Sequence, residues 1–267
     1  MTSFTYTQAS SLADASSKTA AAEAKLIAGG QSLLGAIKLG LAAPEALVDL
    51  GGLADLKGIR VNDEVRGAHV VIGAMTTHAA VAASKEVQQA IPALADLAGR
   101  IGDRQVRNRG TLGGSLANND PAACYPAAVL GLGATIYTDR RSIAADDFFL
   151  GMFETALQPG EIITSVSFPV PAKAAWQKFK QPASRFSLVG VFVAQTATGV
   201  RVAVTGAGAG VFRATALEAA LSAKWSPGAT MAVSISPAKL NSDLHGSADY
   251  RAALIPVLAG RAVAACP

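Results

Sequence analysis

GDRQVRNRGTLGGS, residues 102–115, is the most unusual stretch of this sequence. Its Gly113-Gly114 pair leaves backbone N–H groups accessible, because glycine tolerates positive φ and has no side chain in the way. Four arginines, at positions 100, 104, 107 and 109, lie in or just before the stretch. They would offset the charge of an anion, face an acidic partner, or remain solvated as a basic helix end. The stretch therefore predicts an anion-binding turn and leaves the role of its arginines open.

A second glycine turn, GGQS at residues 29–32, occurs in the N-terminal part of the chain. It follows a short apolar stretch at residues 25–28, which predicts a strand, and it precedes a short helical pattern. A strand, a glycine turn and a helix in this order leave N–H groups free to meet an anion. One such turn alone is most often an ordinary tight turn. Two of them suit a diphosphate, which offers two anionic centres.

The other motifs exclude several common kinds of site. GAGAG at residues 206–210 does not match G-x-G-x-x-G and follows a predicted hairpin, so it does not indicate a Rossmann site. The sequence contains neither G-K-[ST] nor G-x-S-x-G, and its three histidines lack the spacing of a metal site. The chain thus offers anion-binding backbone without an evident acid, base or nucleophile. This pattern is typical of a protein that binds a cofactor with its own reactivity.

The composition is that of a globular protein. The chain has 267 residues, of which 51% are hydrophobic and 16% charged, so it is not intrinsically disordered. The aromatic content of 6% and the net charge of +4 do not indicate a nucleic-acid-binding protein. No apolar stretch reaches the roughly 20 residues of a membrane span. Two cysteines exclude a disulfide framework, and the start of the chain resembles no secretory signal, so we expect a cytoplasmic protein.

The order of predicted elements indicates an α+β protein in three parts. We expect an N-terminal α/β subdomain at residues 1–57, a second α+β subdomain at residues 58–171 and a sheet-and-helix domain at residues 172–267. Pro169 and Pro171 mark the second boundary. The pattern predicts one helix over residues 86–99, and a hairpin between strands at residues 188–196 and 200–205.

Several of these segments resemble one known family. They are AGGQSLL at residues 28–34, IGAMTTH at residues 72–78, QVRNRGTLGGS at residues 105–115, and the closing Tyr250-Arg251 and Arg261-Ala262 pairs. Together they are similar to the FAD-binding medium subunit of molybdenum hydroxylases. That family includes the carbon monoxide dehydrogenase flavoprotein and the FAD-binding subunit of xanthine dehydrogenase. The resemblance extends over residues 4–264.

The resemblance implies a two-subdomain FAD-binding fold of the vanillyl-alcohol-oxidase/PCMH type, followed by a C-terminal three-stranded sheet with helices. FAD would lie between the two N-terminal subdomains, with the two glycine loops around its pyrophosphate. The cofactor-binding residues that it implies are Ala28, Gly29, Gly30, Gln31, Ser32, Leu33, Ile101, Thr111, Leu112, Gly113, Gly114, Ser115, Asn118, Cys124, Ile162, Ile163 and Lys178.

Two of these positions carry a further expectation. A lysine near the flavin in relatives corresponds to Lys178, with Lys180 as the alternative. Cys124 stands where many relatives have an acidic residue that contacts the cofactor. Asp120 or Asn118 would then supply the missing acceptor, whose hydrogen bond is worth roughly 1–3 kcal/mol when buried.

The resemblance also implies a function and partners. The chain would be the electron-transfer subunit of a heteromeric molybdenum hydroxylase, with a large molybdopterin subunit and a small subunit that holds two-iron iron–sulfur clusters. The expected assembly is a dimer of heterotrimers. Electrons would pass from the clusters to FAD and on to NAD⁺, a quinone or oxygen. Two alternatives stay open: a stand-alone flavin oxidoreductase of the same fold superfamily, similar to the cell-wall enolpyruvyl reductase, and a flavin-free interaction subunit.

Overall fold

The N-terminal part of the protein is built on a small parallel sheet. The computed structural model describes residues 3–20, 23–64 and 67–266. The first elements are β1 (Thr5–Gln8), α1 (Leu12–Lys18), β2 (Ala24–Ile27), α2 (Leu33–Lys38) and β3 (Ala46–Asp49), followed by a short 3₁₀ turn at Ala54–Leu56. The strands pair in the order β1–β3–β2. The first glycine turn follows β2, which is an edge strand of this sheet.

The second part surrounds a five-stranded antiparallel sheet. Its elements are β4 (Ile59–Glu64), β5 (Gly67–Gly73), α3 (His78–Ala83), α4 (Lys85–Ala90), α5 (Pro92–Gly99), α6 (Arg104–Arg109), α7 (Leu112–Asn118), α8 (Tyr125–Leu132), β6 (Thr135–Thr138), β7 (Ser142–Ala144), α9 (Ala145–Phe148), β8 (Phe149–Gly151), β9 (Glu154–Thr155) and β10 (Ile163–Pro169). The strand order is β4–β5–β10–β6–β7, while β8 and β9 form a separate hairpin. Every residue of α8 is buried, as its uncharged sequence requires.

The single helix predicted over residues 86–99 is wrong, because the structure has two helices there. Ile91, between α4 and α5, has φ −141° and ψ 71°, which is not helical. The proline at position 92 causes this break, since its ring excludes the helical conformation from the preceding residue and fits well at the first position of a new helix.

The C-terminal part consists of a sheet covered by helices. Its elements are β11 (Lys173–Lys180), β12 (Ser187–Thr196), β13 (Gly199–Thr205), β14 (Phe212–Arg213), α10 (Thr215–Ala223), α11 (Pro227–Met231) and α12 (Ala248–Ala265). The predicted hairpin is confirmed as β12–β13. The sheet expected to have three strands has four, because the two-residue strand β14 adds to the edge of β13. So short a strand has no alternating pattern that a sequence could reveal.

Strand β12 lies between two hydrophobic cores. Val191 and Val193 pack toward α12, whereas Phe192 and Ala194 pack toward the core that contains α8. Because successive side chains of a strand point to opposite faces, one strand joins the C-terminal sheet to the second part of the chain. An ion pair strengthens this junction, with Arg201 Nη2 2.8 Å from the Asp146 carboxylate.

The GAGAG run at residues 206–210 is a close-packed loop of this junction. Gly206 has φ +82°, and a Cβ there would collide with the Ser187 carbonyl oxygen. Its N–H donates to the Pro121 carbonyl at 2.8 Å, and the Thr205 hydroxyl lies 2.7 Å from the Ala123 carbonyl. Residues 120–124 are thus clamped to the C-terminal sheet.

The three larger sheets each lie inside one of the expected segments, 1–57, 58–171 and 172–267, which we retain as proposed domains. None of the helices in the described ranges combines the length and the apolar character that crossing a membrane requires.

Candidate functional site

The first glycine loop joins β2 to α2 and leaves its backbone donors unused. Gly30 has φ +73°, a left-handed conformation that favours glycine. Across the described ranges, no protein acceptor takes a hydrogen bond from the N–H groups of residues 29–33. Ser32 precedes α2 without capping it through its side chain. The loop therefore presents consecutive backbone donors to a ligand beside it.

The second glycine loop is held against the end of β5. Thr111 caps α7, since its hydroxyl accepts a hydrogen bond from the Gly114 N–H at 3.1 Å. Gly113 donates to the Ala74 carbonyl at 2.8 Å, and a Cβ on Gly113 would lie 2.6 Å from the Ala74 Cβ. Leu112 is fully buried, and Ser115 continues the helix. Glycine is required at position 113 by close packing rather than by a positive φ.

The fold brings the two glycine loops side by side. A Cβ on Gly29 would overlap the Arg109 carbonyl oxygen and lie 2.8 Å from the Gly110 Cα. A Cβ on Gly114 would lie 3.6 Å from the Ala28 Cβ. The two loops, residues 29–33 and 111–115, form one backbone surface that we call the cradle. Both loops contain glycine, and the first has free N–H donors, so these residues fit the diphosphate of a dinucleotide cofactor.

The four arginines of the second motif have different surroundings. Arg107 serves the protein itself, with its Nη1 2.9 and 3.2 Å from the carbonyl oxygens of residues 101 and 102. Arg100 pairs with a carboxylate one turn earlier in α5, at 3.1 Å. Arg104 and Arg109 are exposed and form no ion pair within the described ranges. Those two are available to a cofactor or a partner.

Lys178 reaches the second domain from strand β11. Its Nζ lies 3.2 Å from the Arg100 carbonyl oxygen and 3.3 Å from the Cys124 Sγ. The Cys124 Sγ is also 3.6 Å from the Ser187 hydroxyl. Lys180 is exposed and makes no such contact. Of the two lysines considered, Lys178 is therefore the one that the fold places beside Cys124.

Three apolar residues that the resemblance implies belong to, or pack on, the hydrophobic core. Ile162 and Ile163 are only 2% and 5% exposed, in two different core clusters. Ile101 is half-buried and packs on the same cluster as Ile163.

Two polar residues were expected to replace a carboxylate at position 124, and neither forms a hydrogen bond with Cys124 within the described residues. Asp120 accepts a hydrogen bond from the Ala122 N–H at 2.8 Å and so closes a local turn. Asn118 is half-buried at the end of α7. The next residue, Asn119, was missed by sequence reasoning: it has φ +42° and its Nδ2 donates at 2.8 Å to two carbonyls of the β8–β9 hairpin. An asparagine at a helix end was the available signal.

A buried histidine–tyrosine pair lies under the second loop. The His78 and Tyr125 ring centroids are 5.3 Å apart, and a Cβ on Gly110 would lie 2.5 Å from the His78 Nε2. Burial, together with the positive charge of the nearby Arg107, lowers the pKa of His78 to about 4. His78 therefore stays neutral and fills the space beneath Gly110 at the start of α3.

Two clefts lie away from the loops. One of about 410 Å³ lies against α5 and includes Asp96 and Arg100. The other, of about 650 Å³, lies between α1 and the loops at residues 139–140 and 159–160. Neither cleft is lined by a residue of the first or second glycine loop.

Comparison with known proteins identifies the family to which this arrangement corresponds. Residues 2–171 match the family described as the FAD binding domain in molybdopterin dehydrogenase. The chain is 37% identical to the nicotine 6-hydroxylase medium subunit of Paenarthrobacter nicotinovorans, over 90% of this chain and 89% of that protein. It is 34% identical to the carbon monoxide dehydrogenase medium chain of Afipia carboxidovorans, over 98% of this chain and 96% of that protein.

Solved structures have the same fold over nearly the whole chain. A chain of reconstituted carbon monoxide dehydrogenase from Oligotropha carboxidovorans superposes with a TM-score of 0.90 at 32% identity, covering 98% of this chain and 96% of that one. A chain of quinoline 2-oxidoreductase from Pseudomonas putida 86 superposes with a TM-score of 0.86 at 30% identity and the same coverage. The similarity includes the C-terminal domain, beyond the residues that match the family.

We expect Gly30→Asp and Gly114→Asp each to abolish FAD binding, because each adds a side chain and a negative charge where backbone meets a diphosphate. Gly35→Asp is the matched control, since a Cβ on Gly35 meets nothing within 4 Å. Flavin content per folded chain, from absorbance after purification, measures the effect. Stoichiometric FAD in either folded loop variant would contradict the cradle.

We expect His78 to make stability depend on pH. Its pKa is about 4 in the folded state against 6.5 in the unfolded chain, so the unfolded state takes up the proton first. Stability is complete above pH 6.5 and falls by up to ~3 kcal/mol as the pH drops to 4. Urea unfolding at several pH values should show this slope, and His78→Phe should flatten it.

His245→Phe, at an exposed histidine, serves as the control and should keep the wild-type slope.

Glu161 does not account for a slope between pH 6.5 and 4.5. The ion pair with Arg141 lowers the pKa of Glu161 to about 2, so the contribution of Glu161 to stability is lost only below pH 4.5. An unchanged slope in His78→Phe would show that another group titrates in this range.

Proposed function

We infer that this chain, which belongs to the family of FAD-binding domains in molybdopterin dehydrogenases, is the electron-transfer subunit of a heteromeric molybdenum hydroxylase. FAD is its cofactor, and the chain is the flavin subunit of a molybdenum-containing oxidoreductase. In the proposed role it receives electrons from iron–sulfur clusters in a partner and delivers them to an external acceptor. The single observation that carries this role is the cradle formed by the two glycine loops.

The residues of the chain bind and orient the cofactor. Residues 29–33 supply backbone donors, and residues 111–115 supply a second, rigid backbone surface for the same diphosphate. Lys178 adds a positive charge next to Cys124. FAD, when bound, supplies the capacity to accept and release electrons. The protein contributes position and electrostatics to this chemistry.

The proposed partners follow from what this chain does not hold. Its two cysteines are too few for a four-thiolate cluster, and the described residues bring no three His, Cys, Asp or Glu side chains together as metal ligands, so we assign the clusters to another subunit. The relatives named medium chain or medium subunit support a small iron–sulfur subunit and a large molybdopterin subunit. We propose a dimer of such heterotrimers. Both cysteines are free thiols, which supports the cytoplasm as the compartment.

The exposed end of the second motif is a proposed contact with a partner. Arg104 and Arg109 are exposed, whereas Arg107 is committed to backbone carbonyls. Of the arginines in this segment, we therefore assign a partner-facing role to Arg104 and Arg109, which would orient an acidic surface.

The function is tested by mixing the FAD-loaded chain with dithionite-reduced, desalted small subunit and following flavin absorbance by stopped flow. We expect rapid flavin reduction that requires the partner, and no substrate turnover by the chain alone. A chain that purifies with FAD and turns over alone would instead be a stand-alone flavin oxidoreductase. A folded chain without FAD that still assembles would be an interaction subunit, and either result would overturn the proposal.

A further inference from the structure

Exposed apolar side chains are concentrated on one side of the protein. In the described ranges, seven of the fourteen exposed large apolar side chains lie on three segments that surround the loop at residues 206–210. The segments are the β8–β9 hairpin, the end of β11 with the connection to β12, and the turn that precedes α12 with the first turn of that helix. We call their seven exposed side chains the apolar face: Leu150, Met152, Phe153, Phe179, Phe186, Leu244 and Tyr250.

The hairpin presents its apolar tip rigidly. Leu150, Met152 and Phe153 are 60%, 54% and 59% exposed. Asn119 holds the hairpin through the two amide hydrogen bonds described above, and its carbonyl accepts from the Phe153 N–H at 3.2 Å. Phe153 has φ +56°, which is unfavourable for an aromatic residue. A residue with an unfavourable backbone conformation that is held by several hydrogen bonds points to a function at the hairpin tip.

The turn before α12 is fixed in a similar way. Leu244 is 91% exposed, at the tip of a turn whose Asp243 carboxylate lies 2.7 Å from the Arg251 Nη2. The other terminal nitrogen of the buried Arg251 donates to the carbonyls of Leu188 and Gly206, at 2.8 and 3.0 Å. The turn before α12 is therefore anchored directly to the loop at residues 206–210.

The loop at residues 206–210 contacts all three segments. Gly206 contacts the Ser187 carbonyl, Gly208 accepts a hydrogen bond from the Asn241 side chain at 2.9 Å, and a Cβ on Gly210 would lie 3.9 Å from the Gly151 carbonyl oxygen. Five residues span at most about 17 Å, so the segments share one region of the surface. The GAGAG run thus assembles this region instead of binding a phosphate.

The exposed apolar area matches one side of a stable protein interface. The seven exposed fractions add up to about four whole side chains, or on the order of 800 Å² at roughly 200 Å² each. A standard interface buries about 800 Å² on each partner, and soluble monomers rarely expose so large an apolar patch. The face is therefore of the size that one partner contributes to a standard protein interface.

The position and charge of the apolar face indicate which partner covers it. Phe186 directly precedes the buried Ser187, whose hydroxyl contacts the Cys124 Sγ beside Lys178, so the face lies next to two residues that the resemblance assigns to the cofactor site. Lys180 and Arg185, on either side of this connection, are exposed and form no ion pair within the described residues. A partner with an apolar centre and carboxylates opposite these two cations would fit.

We propose that the apolar face binds the electron-donating partner subunit, next to the cofactor that it reduces. This inference rests on the proposed function and names the surface through which that function operates. The Phe153→Asp, Leu244→Asp double variant tests it, since aspartate tolerates the left-handed backbone at position 153. The matched control is Leu39→Asp, Leu41→Asp, at residues 76% and 78% exposed but outside the face.

The experiment co-expresses each full-length variant with a tagged small iron–sulfur subunit and the large subunit, and measures FAD content and complex affinity. We expect the face variant to keep its FAD and to bind its partners at least about 30-fold more weakly, and the control to assemble normally. Equal assembly of both variants, or loss of assembly only in the control, would overturn the inference. So would a wild-type chain that self-associates and becomes monomeric in the face variant, because the face would then bind a second copy.

Failure of the proposed function gives a different result. In that case the wild-type chain itself would not assemble with the two partners, or its flavin would not be reduced by them. Loss of assembly in the face variant alone, with FAD retained, separates the interface from both the fold and the cofactor cradle.

Discussion

The close approach of one backbone segment to another, where only glycine leaves room, positions the two glycine loops of the candidate site. Gly29 lies against the carbonyl of Arg109, and Gly113 lies against the backbone at Ala74. A Cβ on Gly29 would push the first glycine loop away from the end of α6, and a Cβ on Gly113 would push α7 away from the end of β5. Because these segments stay in contact, donors from residues 29–33 and the start of α7 share one surface. The cradle is therefore a consequence of how two subdomains pack.

The C-terminal domain completes the site from a third direction. Its clamp on residues 120–124 fixes Cys124, and its strand β11 brings Lys178 within 3.3 Å of that thiol. Where relatives are expected to have a carboxylate, this protein has a cysteine next to a lysine. The positive charge of Lys178 thus has no acidic partner within the described residues and is available to the cofactor. The same domain carries four of the seven residues of the apolar face.

The sequence predicted the α+β class, both glycine turns and the β12–β13 hairpin, because each depends on local pattern. Contacts between distant segments could not be predicted in this way. The use of Arg107 by two carbonyls, the burial of His78 against Tyr125 and the hairpin bonds of Asn119 all arise from tertiary packing. The break at Ile91 was predictable from the proline that follows it, but the apolar pattern on both sides favoured one continuous helix.

A crystal structure of the FAD-loaded chain is the most direct test of the cradle. The pyrophosphate oxygens should lie within about 3.2 Å of backbone N–H groups from residues 29–33, and they should contact the loop at residues 111–115 as well. Gly29 and Arg109 should keep their present contact, since the two loops already lie together. A pyrophosphate bound to one loop only, or seated in the cleft of about 410 Å³ or that of about 650 Å³, would contradict this assignment.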